Sequence, residues 1–224
     1  MSLIARVSAL ARVSSLARVS AVLLLSASGL SGYSVLTHEA IVDSLWEPSL
    51  QKLLLKRFPM ATPEDLEQAH AYAYGGCIIQ DMGYYPFSSR LFSDLTHYVR
   101  SGDFILALLH ESQDLNEYAF ALGALAHYAA DNNGHKIATN LAVPIMYPEL
   151  RAKFGKTVTY WDSPLSHLRT EFAFDVLQVS LGRYAPSSYH NFIGFQVAKP
   201  VLERAFHDIY GLEMKDVFAN LDLA

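Results

Sequence analysis

Three ionisable residues recur at four-residue steps in the middle of the chain: His127, Asp131 and His135. In an α-helix this spacing brings all three side chains onto one face. A second pair, His167 and Glu171, repeats the same step further along. Both sets lie within largely apolar sequence, so the spacing predicts helices whose inward faces carry ionisable groups.

Ionisable groups in an apolar setting need a compensating charge. A buried carboxylate is costly unless something positive meets it. A network of histidine–aspartate ion pairs would provide that, but a metal explains the pattern better, because imidazole nitrogen and carboxylate oxygen are ligands that zinc takes in catalytic sites. Eight such side chains are too many for one tetrahedral ion and suit two or three: His38, Asp81, His97, His127, Asp131, His135, His167 and Glu171.

The composition is that of one globular domain. The chain has 224 residues, of which 51% are hydrophobic, and this is enough for a full core. Its one cysteine, Cys77, excludes an internal disulfide. Metal ligands would therefore have to come from His, Asp and Glu.

Residues 1–32 differ from the rest and are typical of a secretory signal peptide. They contain three arginines and no acids, then a short apolar run at 21–25 and small residues at 26–32. An amphipathic surface helix is the less favoured interpretation. We therefore expect a signal peptide at 1–32 and a secreted or periplasmic domain at 33–224. The last residues, 220–224, contain no helix-stop signal, which leaves open whether the natural chain continues beyond residue 224.

Loss of residues 1–32 would make the domain more acidic. The whole chain has a formal net charge of −5, and removing three arginines makes it three units more negative. An acidic surface gives no general attraction for nucleic acid, so no stable nucleic-acid partner is expected.

Most of the remaining chain is predicted to be helical, because helix-start signals recur and strand alternation is nearly absent. Thr62 and Pro63 begin one helix, which should run to about Ile79. Asp114 begins a long one that should stop before Pro144. The other predicted elements are helices from Ser88 or Ser89 to about Gly102, from Phe104 to His110, from Ser163 onward, over 194–210 and from Glu213 to the end, with a short strand candidate at 157–160. We therefore predict one all-α, multi-helix bundle with metal ligands projecting inward.

The order of these residues resembles the zinc-dependent phospholipase C superfamily, which also includes the S1/P1-type nucleases. The resemblance covers nearly the whole mature chain and implies an all-α bundle that binds three zinc ions. In that family the mature N-terminus is an aromatic residue, usually Trp, whose amino group and carbonyl bind one zinc. Tyr33 and His38 match this arrangement if cleavage follows Gly32. Two departures are Tyr in place of Trp and a closer spacing of Asp131 and His135 than in the best-known members.

Carried over to this sequence, the family pattern implies ligands for three zinc ions. The first would be held by Asp81, His97, His127 and Asp131. The second would be held by His135, His167 and Glu171. The third would be held by Tyr33, His38 and the other oxygen of Asp131, which then bridges two ions. The resemblance also implies that the free oxygen of Asp81 acts as a general base toward the attacking water.

Aromatic residues next to the predicted ligands are candidates for substrate binding. Tyr84, Tyr85 and Phe87 follow Asp81, and Trp161 precedes His167. They would hold a lipid, a choline head group or a nucleobase, although core packing explains them equally well.

The sequence therefore predicts a zinc-dependent phosphodiester hydrolase, with a small-molecule or lipid substrate of the phospholipase C kind preferred. A single-strand nuclease of the S1/P1 type is the alternative, and a non-catalytic helical zinc protein is the second. The sequence leaves open whether the protein makes transient contact with a membrane surface and what its oligomeric state is.

Overall fold

A computed structural model of the protein describes residues 35–85, 88–184 and 193–218. These residues belong to one compact unit, Ser31–Ala224. The predicted signal peptide, Tyr33 and Phe87 lie outside the described residues. Their predicted roles stay predictions.

The described residues form helices and no strand, which confirms the predicted all-α class. A π-helical turn at Trp46–Leu50, a 3₁₀ turn at Ile79–Tyr84 and a second π-helical turn at His135–Thr139 join some of them. The helices are α1 (Val35–Leu45), α2 (Gln51–Arg57), α3 (Pro63–Ile78), α4 (Arg90–Tyr98), α5 (Ser101–Glu111), α6 (Leu115–Gly134), α7 (Asn140–Met146), α8 (Pro148–Phe154), α9 (Pro164–Ser180), α10 (Lys199–Tyr210) and α11 (Met214–Val217). Among the described residues, no helix is both long and apolar enough to cross a membrane.

Two helix starts follow the signals seen in the sequence. At the start of α3, Thr62 and Asp65 form a reciprocal capping box, with Pro63 in the first turn. At the start of α6, the side chain of Asp114 accepts a hydrogen bond from the backbone N–H of Glu117 at 2.8 Å. Local side-chain chemistry therefore fixes both helix starts.

The predicted helix stop before Pro144 is wrong. Pro144 lies inside α7, and the helical path continues from α6 through the π-helical turn to Met146. A proline inside a helix leaves the carbonyl four residues earlier without its usual donor. Here the carbonyl of Asn140 accepts a hydrogen bond from the backbone N–H of Val158 at 2.9 Å. The predicted strand at 157–160 is also wrong, because this segment is a loop that ties back to α7.

Two other predicted boundaries are shifted. The break between α4 and α5 falls at Arg100, which has a left-handed backbone conformation with φ of 51°. The helix predicted over 194–210 begins only at Lys199. The preceding segment is held in an irregular conformation, since the N–H of Gln196 donates to the carbonyl of Ala71 at 3.0 Å.

Helices α3 and α6 form the most extensively packed pair in the described structure. At Gly76 and Gly123 an added Cβ would overlap the backbone carbonyls of Phe120 and Ala73 on the opposite helix. Glycine at both positions lets the two backbones approach closely. This matters for the site, because Asp81 follows α3 whereas His127 and Asp131 lie on α6.

Two buried apolar clusters hold the bundle together. One packs α4, α5, α6 and α10 around Phe92, Phe104, Phe120 and Phe206. The other packs α1, α2, α3 and α6 around small and aliphatic residues, including Ala69, Ala73 and Leu54. Helix α6 contributes to both clusters, so the ligands that it carries are held from two sides.

Candidate metal centre

Asp131 lies at the centre of the polar cluster. Its carboxylate oxygens are 3.2 to 3.6 Å from ring nitrogens of four histidines: His38, His97, His127 and His135. Oδ2 faces His97 and His127, whereas Oδ1 faces His38 and His135. The two oxygens therefore face two different pairs of histidines.

The first group contains Asp81, His97 and His127, whose ligand atoms lie within 4.8 Å of one another. Nε2 of His97 is 3.3 Å from an oxygen of Asp81 and 3.3 Å from Nε2 of His127. On the other side of each ring, Nδ1 donates to a backbone carbonyl. Nδ1 of His97 donates to the carbonyl of Ser93 at 2.8 Å, and Nδ1 of His127 donates to the carbonyl of Cys77 at 2.7 Å. Because a carbonyl can only accept, the neutral form of each ring, which is the form that binds metal, would turn its Nε2 lone pair toward the other ring, an arrangement that suits a shared cation.

The second group contains His135, His167 and Glu171, again within 4.8 Å. Nδ1 of His167 is 3.0 Å from Oε1 of Glu171, and Nδ1 of His135 is 3.6 Å from the same oxygen. Nε2 of His167 donates to the side chain of Asn140 at 2.9 Å, which leaves Nδ1 as the free lone pair. Nδ1 of His167 and Oε1 of Glu171 are buried without a hydrogen-bond partner among the described residues, as expected of ligand atoms.

The third group contains His38, His127 and Asp131. The ring of His38 stacks on that of His127 with centroids 4.0 Å apart, and its Nε2 is 3.6 Å from Asp131. His127 thus belongs to two groups, although its hydrogen bond to Cys77 leaves only Nε2 for a metal. Tyr33, the terminal ligand implied by the family pattern, lies outside the described residues.

Burial is the main influence on the pKa values of His38 and His167. Complete burial lowers the pKa of His38 to about 3, and burial lowers that of His167 to about 4. Both imidazoles are therefore neutral at neutral pH, which is the form that binds metal.

Other members of the cluster are shifted the opposite way. Burial alone would lower the pKa of His97, but hydrogen bonds to Asp131 and Asp81 outweigh it and raise the pKa to about 10. Burial raises the pKa of Glu171 well above its usual range. Without a metal, the cluster therefore holds protons at positions that a cation would occupy.

A cavity of about 290 Å³ opens over these ligands. Asp81, His97, Asp131, His135 and Glu171 contribute to its floor, so each of the three groups reaches it. Its walls are largely aromatic and polar: Tyr84, Tyr98, Tyr128, Tyr160, Trp161, Asn132, Lys136 and Asn140. The site thus combines metal-ligand chemistry with a pocket large enough for a small head group.

The predicted substrate-binding residues are divided between two cavities. Tyr84 and Trp161 line the cavity over the ligands. Tyr85 lines a separate apolar cavity of about 300 Å³ beside Ile79 and Met82, so it does not face the ligands. Sequence reasoning missed Tyr98 and Lys136, which also line the first cavity. Each directly follows a ligand in sequence, and that adjacency was the available signal.

An all-α fold with clustered histidine and carboxylate ligands around a pocket defines a helical metalloprotein. A family model for zinc-dependent phospholipase C matches residues 37–220, which is most of the chain. The protein therefore belongs to the zinc-dependent phospholipase C family, as the order of its ligands predicted. Membership implies zinc as the metal and a hydrolase as the class of protein. No curated protein and no solved structure matches the chain significantly.

Proposed function

We propose that this protein hydrolyses a phosphodiester in the manner of a phospholipase C. One observation carries the proposal: three groups of histidine and carboxylate ligands border a single cavity whose walls are largely aromatic. Family membership supports zinc as the metal that these groups hold. About three ions per chain would be bound, one for each group.

His127 must be assigned to one ion, because only its Nε2 is available. We assign it to the ion held with Asp81, His97 and Asp131, where its Nε2 lies 3.2 Å from Oδ2 of Asp131. The second ion would be held by His135, His167 and Glu171. The third would be held by His38, the remaining oxygen of Asp131 and the predicted terminal residue Tyr33. Zinc bound in this way supplies Lewis acidity and lowers the pKa of a coordinated water toward about 7.

Asp81 is the residue that we propose as general base. It lies on the cavity floor and is almost fully buried, with one oxygen 3.3 Å from His97. The other oxygen would accept the proton of the water that attacks phosphorus. Lys136 lines the same cavity and adds a positive charge for the phosphate.

A lipid head group fits this cavity better than a long nucleic acid. Among the described residues that line it, Lys136 is the only lysine or arginine, and the whole chain is acidic, with a formal net charge of −5. Binding of a nucleic-acid backbone normally uses several basic residues. The aromatic walls would also stack a nucleobase, however, which keeps a single-strand nuclease as the alternative.

Hydrolysis assays on the secreted, zinc-loaded protein test the proposal. We would compare phosphatidylcholine, single-stranded DNA and a chromogenic phosphodiester, each before and after chelation and zinc return. Activity on phosphatidylcholine that is lost on chelation and restored by zinc supports the proposal. Faster cleavage of DNA than of lipid supports the nuclease, and zinc binding without hydrolysis of any substrate supports a non-catalytic zinc protein.

Secretion and the mature start belong to the same proposal. The third ligand set requires an unblocked amino group at Tyr33, which implies cleavage after Gly32. Mass spectrometry of the secreted protein should give Tyr33 as its first residue. A different start would remove Tyr33 from the ligand set and leave the other two groups unchanged.

A further inference from the structure

Helix α9 is inverted relative to an ordinary surface helix. Its buried side chains are all polar: His167, Thr170, Glu171, Asp175 and Gln178. Its exposed side chains include six large apolar ones, which are 41 to 58% exposed: Leu165, Phe172, Phe174, Val176, Leu177 and Val179. Surface helices of soluble proteins normally bury their apolar side chains and expose their polar ones.

The neighbouring π-helical turn and α7 present the same kind of surface. Ile137 and Ile145 are 74% and 72% exposed, and Leu141 between them is 43% exposed. These three residues are spaced at four-residue steps along the helical path. Helix α9 packs against both α7 and this π-helical turn. We call the exposed apolar residues of 137–146 and 165–179 the apolar face.

The apolar face adjoins the mouth of the cavity over the metal ligands. Lys136 and Asn140 line the cavity, and each is followed in sequence by a residue of the face, Ile137 or Leu141. On α9, Leu168 lines the cavity between Leu165 and Phe172. Trp161, which is 67% exposed, also lines the cavity.

The exposed charges within the two segments that carry the apolar face are basic, although the whole chain is acidic. In segments 135–146 and 164–183 the acids Glu171 and Asp175 are buried. The exposed charges of these segments are Lys136, Arg169 and Arg183. Asp162, beside Trp161, is an exposed acid nearby, and its carboxylate accepts hydrogen bonds from Thr159.

From this placement we propose that the apolar face docks on a phospholipid surface and presents the cavity to the lipid head groups. Exposed apolar side chains bordered by lysine and arginine match the interfacial region of a bilayer. A lipid surface also explains why the face adjoins the cavity. A protein partner seated there would obstruct the mouth, whereas a bilayer that covers the mouth itself supplies the substrate. The inference rests on the proposed function.

The test is a vesicle-binding assay on the zinc-loaded protein. Vesicles of phosphatidylcholine, with and without phosphatidylglycerol, would be sedimented with wild type and with the double variant Ile137→Asp, Ile145→Asp. The variant should bind at least about tenfold more weakly, because two side chains lose apolar contact. The matched control is Met60→Asp, Leu106→Asp, since Met60 and Leu106 are 89% and 55% exposed and lie outside the apolar face. It should bind like wild type.

A second measurement does not depend on variants. Brominated phosphatidylcholine should quench the fluorescence of Trp161, whereas Trp46, which stacks on the ring of His70, should be little affected. Equal vesicle binding by wild type and the face variant, or absence of this quenching, would overturn the docking proposal. A dimer in solution that the face variant dissociates, without vesicle binding, would overturn it in favour of a second copy as occupant.

Hydrolysis of a soluble chromogenic phosphodiester separates this inference from the proposed function. The face variant should keep wild-type turnover of that substrate while losing turnover on vesicles. If wild type hydrolyses the soluble substrate but does not bind vesicles, the docking proposal fails and the function stands. If wild type binds vesicles through the face but hydrolyses nothing, the function fails and the docking stands.

Discussion

The chemistry of the site is concentrated in individual residues with distinct surroundings. Asp131 faces four histidines, with each oxygen directed at a different pair. Asp81 contacts His97 through one oxygen and lies on the cavity floor. Replacement of the carboxylate by an amide should therefore have different effects at Asp131, the proposed bridging ligand, and at Asp81, the proposed base.

Asp81→Asn should retain most of the bound zinc but lose activity by about 10²–10⁴-fold, because an amide cannot accept the proton of the attacking water. Zinc content and turnover of a chromogenic phosphodiester measure the two effects. Asp131→Asn is the matched comparison, and it should lose the most zinc because that residue serves two ions. Near-normal turnover by a zinc-replete Asp81→Asn variant would falsify the base assignment.

Zinc binding to the metal-free protein should release protons at neutral pH. The raised pKa of His97, about 10, means that its ring is protonated there, and the raised pKa of Glu171 also favours a bound proton. Zinc must displace both protons, so zinc affinity should rise as pH rises toward the pKa of His97. His38 and His167, with pKa values of about 3 and 4, are already neutral and should release none.

Calorimetric titration with zinc in buffers of different ionisation enthalpy counts the released protons. The observed heat should change with the buffer in proportion to that count. A heat that is the same in every buffer would contradict the protonation states inferred for His97 and Glu171.

At the scale of helices, the packing of α3 against α6 positions the ligands. Gly123→Ala should lower the free energy of unfolding by about 1–3 kcal/mol, because the new methyl group overlaps the carbonyl of Ala73. Denaturant unfolding measures this. The control is Gly102→Ala, whose Cβ would lie 3.2 Å from the hydroxyl of Tyr128, the movable end of a side chain. That variant should be neutral or slightly stabilised, because alanine favours helix more than glycine.

Helix starts were predictable from sequence, whereas helix ends were less so. The caps at Thr62 and Asp114 act within one turn, so local sequence is enough to specify them. Pro144 was misread as a stop because the hydrogen bond that accommodates it comes from Val158, fourteen residues on. Likewise, Gln196 is held out of α10 by the carbonyl of Ala71, a partner that local sequence does not reveal.

The same limit applies to the site. The eight side chains that the structure brings together in three groups were proposed as ligands from their spacing and their order, because metal ligands need particular chemical groups. The inward or outward direction of an aromatic ring has no such signature. Tyr84 and Tyr85 are neighbours in sequence yet line different cavities, and only the structure separates them.

At the scale of the whole molecule, the metal groups connect distant parts of the chain. The candidate ligands come from α1, the turn after α3, α4, α6, the π-helical turn after α6, and α9. Metals that hold such ligands act as cross-links in the folded state, and ligand binding to that state alone adds to stability. Chelation should therefore loosen the element that depends most on metal contacts.

That element should be α9, because its buried face is polar. Hydrogen exchange followed by mass spectrometry should show faster exchange over 164–180 after chelation, with little change in α3 and α6, which are packed by apolar contacts. Return of zinc should restore protection. Equal loss of protection in α6 and α9 would contradict this expectation and indicate one cooperative unit.

The inverted polarity of α9 also bears on the order of events during folding. Collapse of apolar side chains can assemble α3, α5, α6 and α10, but it gives α9 no reason to dock with His167 and Glu171 inward. That orientation becomes favourable once a cation binds His167 and Glu171, the two residues of α9 that belong to a ligand group. Folding would then have two stages, with an apolar scaffold first and docking of α9 only where zinc is present.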